Sequence, residues 1–234
     1  MNIAVILAGG TGSRMGADKP KQFLEIEGRS VIERSIDAFD AAEGIDQVAV
    51  VVHPDWMDYM RQLVAANTWH KVQKLISGGS ERYMSSLNAI MEFIDYPDDT
   101  NLILHDAARP FVSQAIIARV AEALKEHEAV GVGIPSTDTV WEVRLDIPTD
   151  AHFSPLTSHF ISRIPERPTM WRAQTPQAFR LPLIRDAYQR ALQDPQFRAT
   201  DDCGVVRHYL PGIKVCVVEG EEANRKITFK EDLE

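Results

Sequence analysis

The chain has 234 residues, of which 44% are hydrophobic and 25% are charged, a composition typical of globular proteins. Its 34 acidic residues outnumber its 25 Lys and Arg, and the net charge of −9 argues against a general nucleic-acid surface but not against a phosphate pocket served by a few local cations. Two cysteines exclude a disulfide framework and a four-thiolate zinc site, and no apolar run approaches the ~20 residues of a membrane span. Since the apolar N-terminus also lacks a basic leader, we expect a cytoplasmic protein.

Apolar runs of strand length alternate with segments of helical period along most of the chain. The predicted strands are Ile3–Ala8, Val48–Val52, Val72–Ile76, Leu102–Leu104, Val130–Ile134 and Val215–Val218. The predicted helices are Val31–Phe39, Trp56–Ala66, Tyr83–Ile94, Ile116–His127 and Leu183–Leu192. This order predicts an α/β fold, a doubly wound and mostly parallel sheet with helices on both faces. Ligands of such sheets bind beyond the carboxyl ends of the strands.

The alternation is interrupted between Pro135 and Met170. This stretch is polar and rich in proline, with short alternating segments such as Thr139–Val143. Because a long loop without structure is uncommon in a compact domain, we predict a protruding β-arm over residues 136–170. The whole chain, residues 1–234, is then a single domain that carries this arm.

A glycine-rich loop, Leu7–Gly16, follows the first strand directly. Glycines let the backbone approach an anion, and successive N–H groups can surround phosphate oxygens. The loop is neither a dinucleotide fingerprint, since Met15 stands where a glycine is needed, nor a Walker A loop. Arg14 and Lys21 add cations, as a triphosphate and a departing pyrophosphate require. A glycine-rich turn with solvated cations is the alternative, and the two cations favour phosphate binding.

The segment Gly78–Arg82 follows the third strand and opens a helix. Ser80 is predicted to cap this helix at its N-terminus, which faces the same edge of the sheet. Gly79 would let the backbone approach the edge of a base. An ordinary capped loop is an equal alternative.

Asp106 comes at the end of a buried strand, beside the small residues Ala107 and Ala108. A carboxylate there could bind Mg²⁺ or a substrate hydroxyl. Arg109 could hold a substrate phosphate. The alternative is a structural Asp–Arg pair, and His105 is assigned a structural role.

Two further segments carry candidate residues near the C-terminus. Thr175 precedes Pro176 and should therefore be extended, with its hydroxyl aimed outward; a turn into the next helix is the alternative. Lys226 and Thr228 would point to the same side of an extended segment, for which a solvated terminal strand is the alternative.

Taken in order, these motifs resemble the CTP-dependent cytidylyltransferases that act on sugar-alcohol phosphates. The matching segments are Leu7–Gly16, Pro20–Gln22, Gly78–Arg82, His105–Pro110, Asp138-Thr139, Arg167, Gln174–Gln177, Thr200-Asp201 and Lys226–Thr228, and they span nearly the whole chain. One branch of the family acts on 2-C-methyl-D-erythritol 4-phosphate and its sister on ribitol 5-phosphate. The resemblance implies a Rossmann-like nucleotidyltransferase that uses CTP and Mg²⁺, pairs as a homodimer through the arm, and has no nucleic-acid or membrane partner.

The resemblance also implies roles for individual residues. The catalytic cations around the α-phosphate would be Arg14, Lys21 and Lys226. The CTP site would contain Ala8, Gly9, Gly10, Thr11, Gly12, Gly79, Ser80 and Ser85. The acceptor pocket and the metal–phosphate region would contain Asp106, Arg109, Thr139, Thr175, Thr200 and Thr228, with Asp106 as the candidate metal ligand. Arg167 would reach the acceptor phosphate in the neighbouring subunit.

The acceptor is the open question. The stretch Ile164–Met170 departs from the pattern common in the methylerythritol branch and is similar to the ribitol branch. The methylerythritol branch is the commoner role for a stand-alone chain of this type. We therefore expect 2-C-methyl-D-erythritol 4-phosphate as the acceptor, with ribitol 5-phosphate as the alternative. Two other classes stay open: a transferase that uses UTP or GTP on a sugar 1-phosphate, and a non-catalytic nucleotide sensor on the same fold.

Overall fold

A computed structural model describes residues 1–10, 19–146 and 158–233. Its strands are β1 (Asn2–Ala8), β2 (Glu25–Ile26), β3 (Arg29–Ser30), β4 (Gln47–Val52), β5 (Val72–Ser77), β6 (Asn101–Asp106), β7 (Ala129–Pro135), β8 (Glu142–Asp146), β9 (Ser158–Arg163), β10 (Trp171–Arg180) and β11 (Cys216–Glu219). Its α-helices are α1 (Val31–Asp40), α2 (Met57–Ala66), α3 (Arg82–Glu92), α4 (Gln114–Ala123), α5 (Leu181–Ala191) and α6 (Asp202–Tyr209).

The central sheet has seven strands in the order β11-β7-β10-β6-β1-β4-β5. β1 is parallel to β4 and β6, β5 is parallel to β4, and β11 is parallel to β7, whereas β10 runs antiparallel between β6 and β7. In the register of these strands Ala8 pairs with Val52, and Leu7 pairs with Asp106. The carboxyl ends of β1, β4 and β6 therefore lie side by side at one edge of the sheet.

The sheet is buried between two layers of helices, as the doubly wound prediction requires. Along β1, Ala4 and Ile6 face one layer, while Ile3 and Val5 face the other, because successive side chains of a strand point to opposite faces. The first layer contains residues of α1, α2 and α4, and the second contains residues of α3, α5 and α6. The α/β fold with a mostly parallel sheet is thus confirmed.

Three parts of this architecture are absent from the sequence-based prediction: β10, α6 and the short hairpin of β2 and β3. The sequence of β10 is polar and contains Pro176, so it lacks the apolar run of a buried strand. Its Gln174–Phe179 part is nevertheless buried, and the pairing with β7 shifts register between Gln174 and Gln177. A bulge beside the proline lets the strand continue although Pro176 has no N–H to donate.

The predicted arm contains β8 and β9, which form a separate two-stranded antiparallel sheet. Large apolar side chains are exposed along the arm, among them Trp141, Phe160 and Ile164. Residues 147–157 of the predicted arm lie outside the described part of the chain. None of the helices that the structure describes is long and apolar enough to cross a membrane.

Candidate active site

A cavity of about 490 Å³ opens at the carboxyl edge of the sheet, where the loops after β1, β4, β5 and β6 meet the segment near the C-terminus. This is the edge at which the doubly wound prediction places a ligand. Its lining contains ten of the predicted site residues: Ala8, Gly9, Gly10, Lys21, Gly79, Ser80, Ser85, Asp106, Lys226 and Thr228. The fold therefore brings residues that are up to 220 positions apart in the sequence into one site.

The glycine loop after β1 is held by Gln22. The buried side-chain amide of Gln22 donates hydrogen bonds to the carbonyl oxygens of Ala8 at 2.9 Å and Gly10 at 2.8 Å. A Cβ on Gly9 would lie 2.5 Å from the Ser85 hydroxyl, so a side chain there would displace that hydroxyl. The predicted residues Thr11, Gly12 and Arg14 lie outside the described residues.

The loop after β5 approaches the same cavity. The N–H of Gly79 donates to the Ser85 hydroxyl at 3.2 Å, and a Cβ on Gly79 would lie 2.2 Å from the Cβ of Met84, which leaves no room for a side chain. The prediction that Ser80 caps α3 is wrong. Glu81 holds the N-cap position without a side-chain bond, while the Ser80 hydroxyl contacts the sulfur of Met84.

Asp106, the last residue of β6, lies between two cations. Its Oδ1 accepts a hydrogen bond from Nε of Arg82 at 2.9 Å, and its Oδ2 accepts one from Nζ of Lys226 at 2.7 Å. Burial by itself raises the pKa of the Asp106 carboxyl, but Arg82 and Lys226 outweigh burial and hold that pKa well below its usual range. Asp106 is therefore ionised at neutral pH and fixes both cations at the cavity wall.

This arrangement does not fit a magnesium ion bound directly by Asp106. Both oxygens of Asp106 already accept hydrogen bonds from cationic side chains. These cations balance the negative charge of the carboxylate, which a metal ion would need. Among the described residues, no group of three or more His, Cys, Asp or Glu side chains is placed to hold a metal ion.

Lys21 contacts the C-terminal segment that carries Lys226. The Lys21 ammonium donates to the carbonyl oxygen of Ile227 at 2.8 Å, and Ile227 itself is fully buried. Its neighbours Lys226 and Thr228 both line the cavity, which confirms that they share one side of the segment. Lys21 thus joins the N-terminal part of the site to its C-terminal part.

The hydroxyl of Thr175 does not point outward as predicted, because Thr175 is buried. Its Oγ1 accepts from the N–H of Asp106 at 3.1 Å and contacts Nδ1 of His105 at 3.1 Å. Nε2 of His105 lies 3.1 Å from the carbonyl oxygen of Arg109. A neutral His105 that is protonated on Nε2 satisfies every bond of this chain. Thr175 and His105 are not in the cavity lining, so they serve the framework rather than forming an accessible nucleophile and base.

The hydrogen bonds of His105 with Arg109 and Thr175 predict that the stability of the fold depends on pH. Burial lowers the pKa of His105 from 6.5 to about 4, although the bond to Arg109 and the charge of Asp106 act in the other direction. Neutral His105 stabilises the folded state fully when the pH is above 6.5, the pKa of an unperturbed histidine. This stabilisation is lost as the pH falls from 6.5 towards 4. We expect this group to lower the free energy of unfolding by about 2 kcal/mol between about pH 7.5 and about pH 5, as measured by urea denaturation. His105→Gln should have a flatter pH dependence, and an equal slope in both proteins would contradict the assignment.

The other predicted residues lie outside the cavity lining, as far as the structure describes the chain. Arg109 is half-buried and donates to the carbonyl oxygen of Asn224 at 2.8 Å, so its guanidinium ties β6 to the C-terminal segment. Thr139 and Thr200 are exposed. Arg167 is exposed in a short 3-10 helix after the arm, where it contacts the carbonyl oxygen of Thr137 at 3.4 Å. Within one chain these residues do not join the cavity.

Sequence reasoning assigned no role to Gln22, Arg82 or Asp202. Gln22 and Arg82 stand in the two recognised loop motifs, so the signal for them was present in the sequence. Asp202 is wholly buried in α6 and pairs with Arg82 at 2.8 Å. No pattern in the sequence marks that partner, because only the fold brings the start of α6 next to the start of α3.

The chemistry that this site can support is charge stabilisation. Two glycine loops leave room for close approach to the backbone, and three cations, Lys21, Arg82 and Lys226, line the same cavity. Such donors match the oxygens of a polyphosphate and the negative charge that grows on a leaving phosphate. The site thus suits transfer of a phosphorus-containing group.

Comparisons with known proteins agree with this geometry. The family model of 2-C-methyl-D-erythritol 4-phosphate cytidylyltransferase matches residues 2–234. The enzyme of that name from Thermobifida fusca (strain YX) is 45% identical over 98% of this chain and 89% of its own. A Haemophilus influenzae protein, bifunctional ribulose 5-phosphate reductase/CDP-ribitol pyrophosphorylase Bcs1, is 37% identical over 99% of this chain, which spans 46% of that longer protein.

A solved structure extends the agreement to three dimensions. The crystal structure of 4-diphosphocytidyl-2C-methyl-D-erythritol synthase from Anaerococcus prevotii superposes with a TM-score of 0.82 at 27% identity, and the match covers 100% of this chain and 92% of the other. The chain belongs to the 2-C-methyl-D-erythritol 4-phosphate cytidylyltransferase family and is a CTP-dependent nucleotidyltransferase.

Proposed function

We propose that this enzyme transfers the cytidylyl group of CTP to 2-C-methyl-D-erythritol 4-phosphate and releases pyrophosphate. The observation that carries the proposal is the single cavity in which two glycine loops face Lys21, Arg82 and Lys226. The family match over residues 2–234 supports both the nucleotide and the acceptor.

In the proposed reaction, a phosphate oxygen of the acceptor attacks the α-phosphorus of CTP. A new P–O bond forms there while the bond to the oxygen that bridges the α- and β-phosphates breaks, and the electron pair leaves with pyrophosphate. The acceptor phosphate is largely a dianion near neutral pH, so no general base is needed. Catalysis then consists of positioning and of charge stabilisation by Arg14, Lys21 and Lys226.

The CTP site would lie on the two glycine loops, where Gly10 and Gly79 offer close backbone approach. We propose that Mg²⁺ enters as part of the nucleotide substrate, held by phosphate oxygens and water, as magnesium commonly is. The cytoplasm stays the predicted compartment, and no nucleic-acid or membrane partner is predicted.

A parallel assay of pyrophosphate release tests this proposal. CTP, UTP, GTP and ATP are each offered with Mg²⁺ and either 2-C-methyl-D-erythritol 4-phosphate or D-ribitol 5-phosphate. We expect turnover with CTP and the methylerythritol acceptor. A preference for UTP or GTP would contradict the nucleotide assignment, and binding of CTP without turnover on either acceptor would indicate a sensor.

Ribitol 5-phosphate is the second candidate acceptor. It is favoured by the Haemophilus influenzae relative, whose printed name includes CDP-ribitol pyrophosphorylase, and by the Ile164–Met170 pattern. A kcat/KM higher with ribitol 5-phosphate than with the methylerythritol acceptor would assign the chain to that activity.

We further propose that two chains pair through the arm, so that Arg167 and Thr139 of one subunit reach the acceptor pocket of the other. Phe160 is 57% exposed and Trp141 is 58% exposed, which is unusual for apolar side chains of this size clustered on one hairpin. Burying them against a second copy would remove this surface from water. Both Arg167 and Thr139 are exposed next to that surface and absent from the cavity lining of their own chain, as far as it is described.

Replacing Phe160 by aspartate should therefore weaken self-association. We expect the native chain to sediment as a dimer and Phe160→Asp to raise the dimer Kd by at least about thirtyfold, because a charge would be buried in an apolar contact. Sedimentation velocity over a concentration series gives the comparison. Leu192→Asp is the matched control, since Leu192 is 53% exposed at the end of α5 and does not belong to the arm. A monomeric native chain, or equal effects of the two substitutions, would contradict the arm interface.

A further inference from the structure

A chain of buried polar contacts leads away from the cavity behind Arg82. Nε of Arg82 lies 2.9 Å from Oδ1 of Asp106, and Nη1 of Arg82 lies 2.8 Å from Oδ2 of Asp202. The guanidinium therefore forms ion pairs with two carboxylates. Tyr188 donates its hydroxyl to the other oxygen of Asp202 at 2.6 Å. Asp202 and Tyr188 are buried, with 0% and 1% exposure, and neither lines the cavity. Arg82 thus links the cavity wall to α5 and α6.

The contacts of Arg82 bear on the position of Lys226, because both side chains bond to Asp106. Arg82 and Lys226 hold opposite oxygens of the same carboxylate, that of Asp106. If Arg82 lost its second carboxylate, its charge would be balanced by Asp106 alone, and the two cations would compete for that group. The position of the Lys226 ammonium in the cavity would then depend on Asp202, which does not line the cavity.

We propose that Asp202 is a positioning residue of the transfer reaction: it anchors Arg82 against Asp106 and so places Lys226 at the phosphate site. This inference rests on the proposed function, in which Lys226 contacts the reacting phosphates. Tyr188 supports the same anchor by fixing the orientation of the Asp202 carboxylate.

Asp202→Asn tests the anchor, since it keeps the shape of the side chain and removes the charge. We expect kcat to fall about ten- to hundredfold while the Kd for CTP changes little, because a small displacement of a catalytic cation affects the transition state most. Asp186→Asn is the matched control. Asp186 also pairs with an arginine, Arg190 at 3.0 Å, but both side chains are about half exposed and Asp186 is not part of the described cavity lining, so its kcat should stay near that of the native enzyme.

Two further measurements separate positioning from general destabilisation. If Asp202 acts through Lys226, adding Asp202→Asn to a Lys226→Ala enzyme should lower kcat little further, whereas an independent structural role would give multiplied losses. Tyr188→Phe keeps the buried ring, so it covers the case in which Asp202→Asn does not fold; it should lower kcat in the same direction by a smaller factor.

A crystal structure of Asp202→Asn supplies a readout that does not depend on turnover. The inference predicts that the Lys226 ammonium leaves the Asp106 carboxylate, and an unchanged Arg82–Asp106–Lys226 geometry would overturn it. Equal kcat in native and Asp202→Asn enzymes would overturn it as well. Absence of turnover in the native enzyme would instead contradict the proposed function, and the crystal structure would still decide the role of Asp202.

Discussion

Replacing Lys21 by alanine should lower kcat by about a hundredfold or more and leave the Kd for CTP within about threefold. Lys21 lines the cavity between the two glycine loops and the C-terminal segment. A cation that stabilises charge growing on the α-phosphate and the leaving pyrophosphate acts mainly in the transition state, so its loss appears in kcat. Pre-steady-state pyrophosphate release and calorimetric titration with CTP measure the two quantities.

The control for this substitution is Lys19→Ala. Lys19 is close in sequence and carries the same charge, but its ammonium lies 5.5 Å from the ring centre of Tyr59 and the residue is not part of the described cavity lining. Its removal should change kcat little. Because Lys21 also binds the carbonyl oxygen of Ile227, thermal unfolding of both variants is needed to show that the site is still assembled. A Lys21→Ala enzyme with native kcat, or one that loses CTP affinity as much as kcat, would contradict the assigned role.

Asp106→Asn should have an even broader effect, because it removes the charge that both Arg82 and Lys226 face. An amide offers one acceptor and one donor, so one of the two cations would meet an N–H group instead of an oxygen. We expect kcat/KM to fall by a factor on the order of a thousand, through misplacement of Lys226. We also expect the free energy of unfolding to fall by about 3 kcal/mol, because two partly buried cations lose their shared partner.

Asp186→Asn is the comparison for the stability effect. Asp186 also pairs with an arginine, Arg190 at 3.0 Å, but both side chains are about half exposed, and such pairs contribute only a few tenths of a kcal/mol. Urea denaturation of the three proteins at one pH gives the comparison. Equal destabilisation by the two substitutions, or an Asp106→Asn enzyme with native activity, would show that the carboxylate does not organise the site.

Periodicity in the sequence was sufficient for most of the sheet and the helices. The apolar run Ile3–Ala8 corresponds to β1, and the predicted helix Val31–Phe39 corresponds to α1, which begins at a capping box of Ser30 and Glu33. The pattern failed at β10, whose burial comes from its neighbours β6 and β7 rather than from its own composition. It also missed α6, a helix of eight residues that has too few turns for a clear apolar face.

The candidate site was predicted unevenly for a related reason. Glycines and cations next to a strand end signal an anion site in the sequence itself, and this identified the first glycine loop with Lys21, while the position of Asp106 at a strand end marked it as a candidate ligand. The role of Lys226 came from the family resemblance. The wrong predictions, the Ser80 cap and the outward hydroxyl of Thr175, concern which atom a side chain contacts. Local sequence limits the conformation of such a residue, but its partner comes from another part of the chain.

By itself, the sequence determined the class of fold, the edge of the sheet where the cavity opens, and the glycine-rich, cationic character of that cavity, since these follow from apolar periodicity and from glycine and charge at strand ends. Only the tertiary structure decided how the charges pair. Arg82, Asp106, Asp202 and Lys226 come from four separate segments, and their ion pairs exist because α3, β6, α6 and the C-terminal segment converge behind one cavity. The energy of a charge depends on its distance from other charges and from water, and both distances are set by packing.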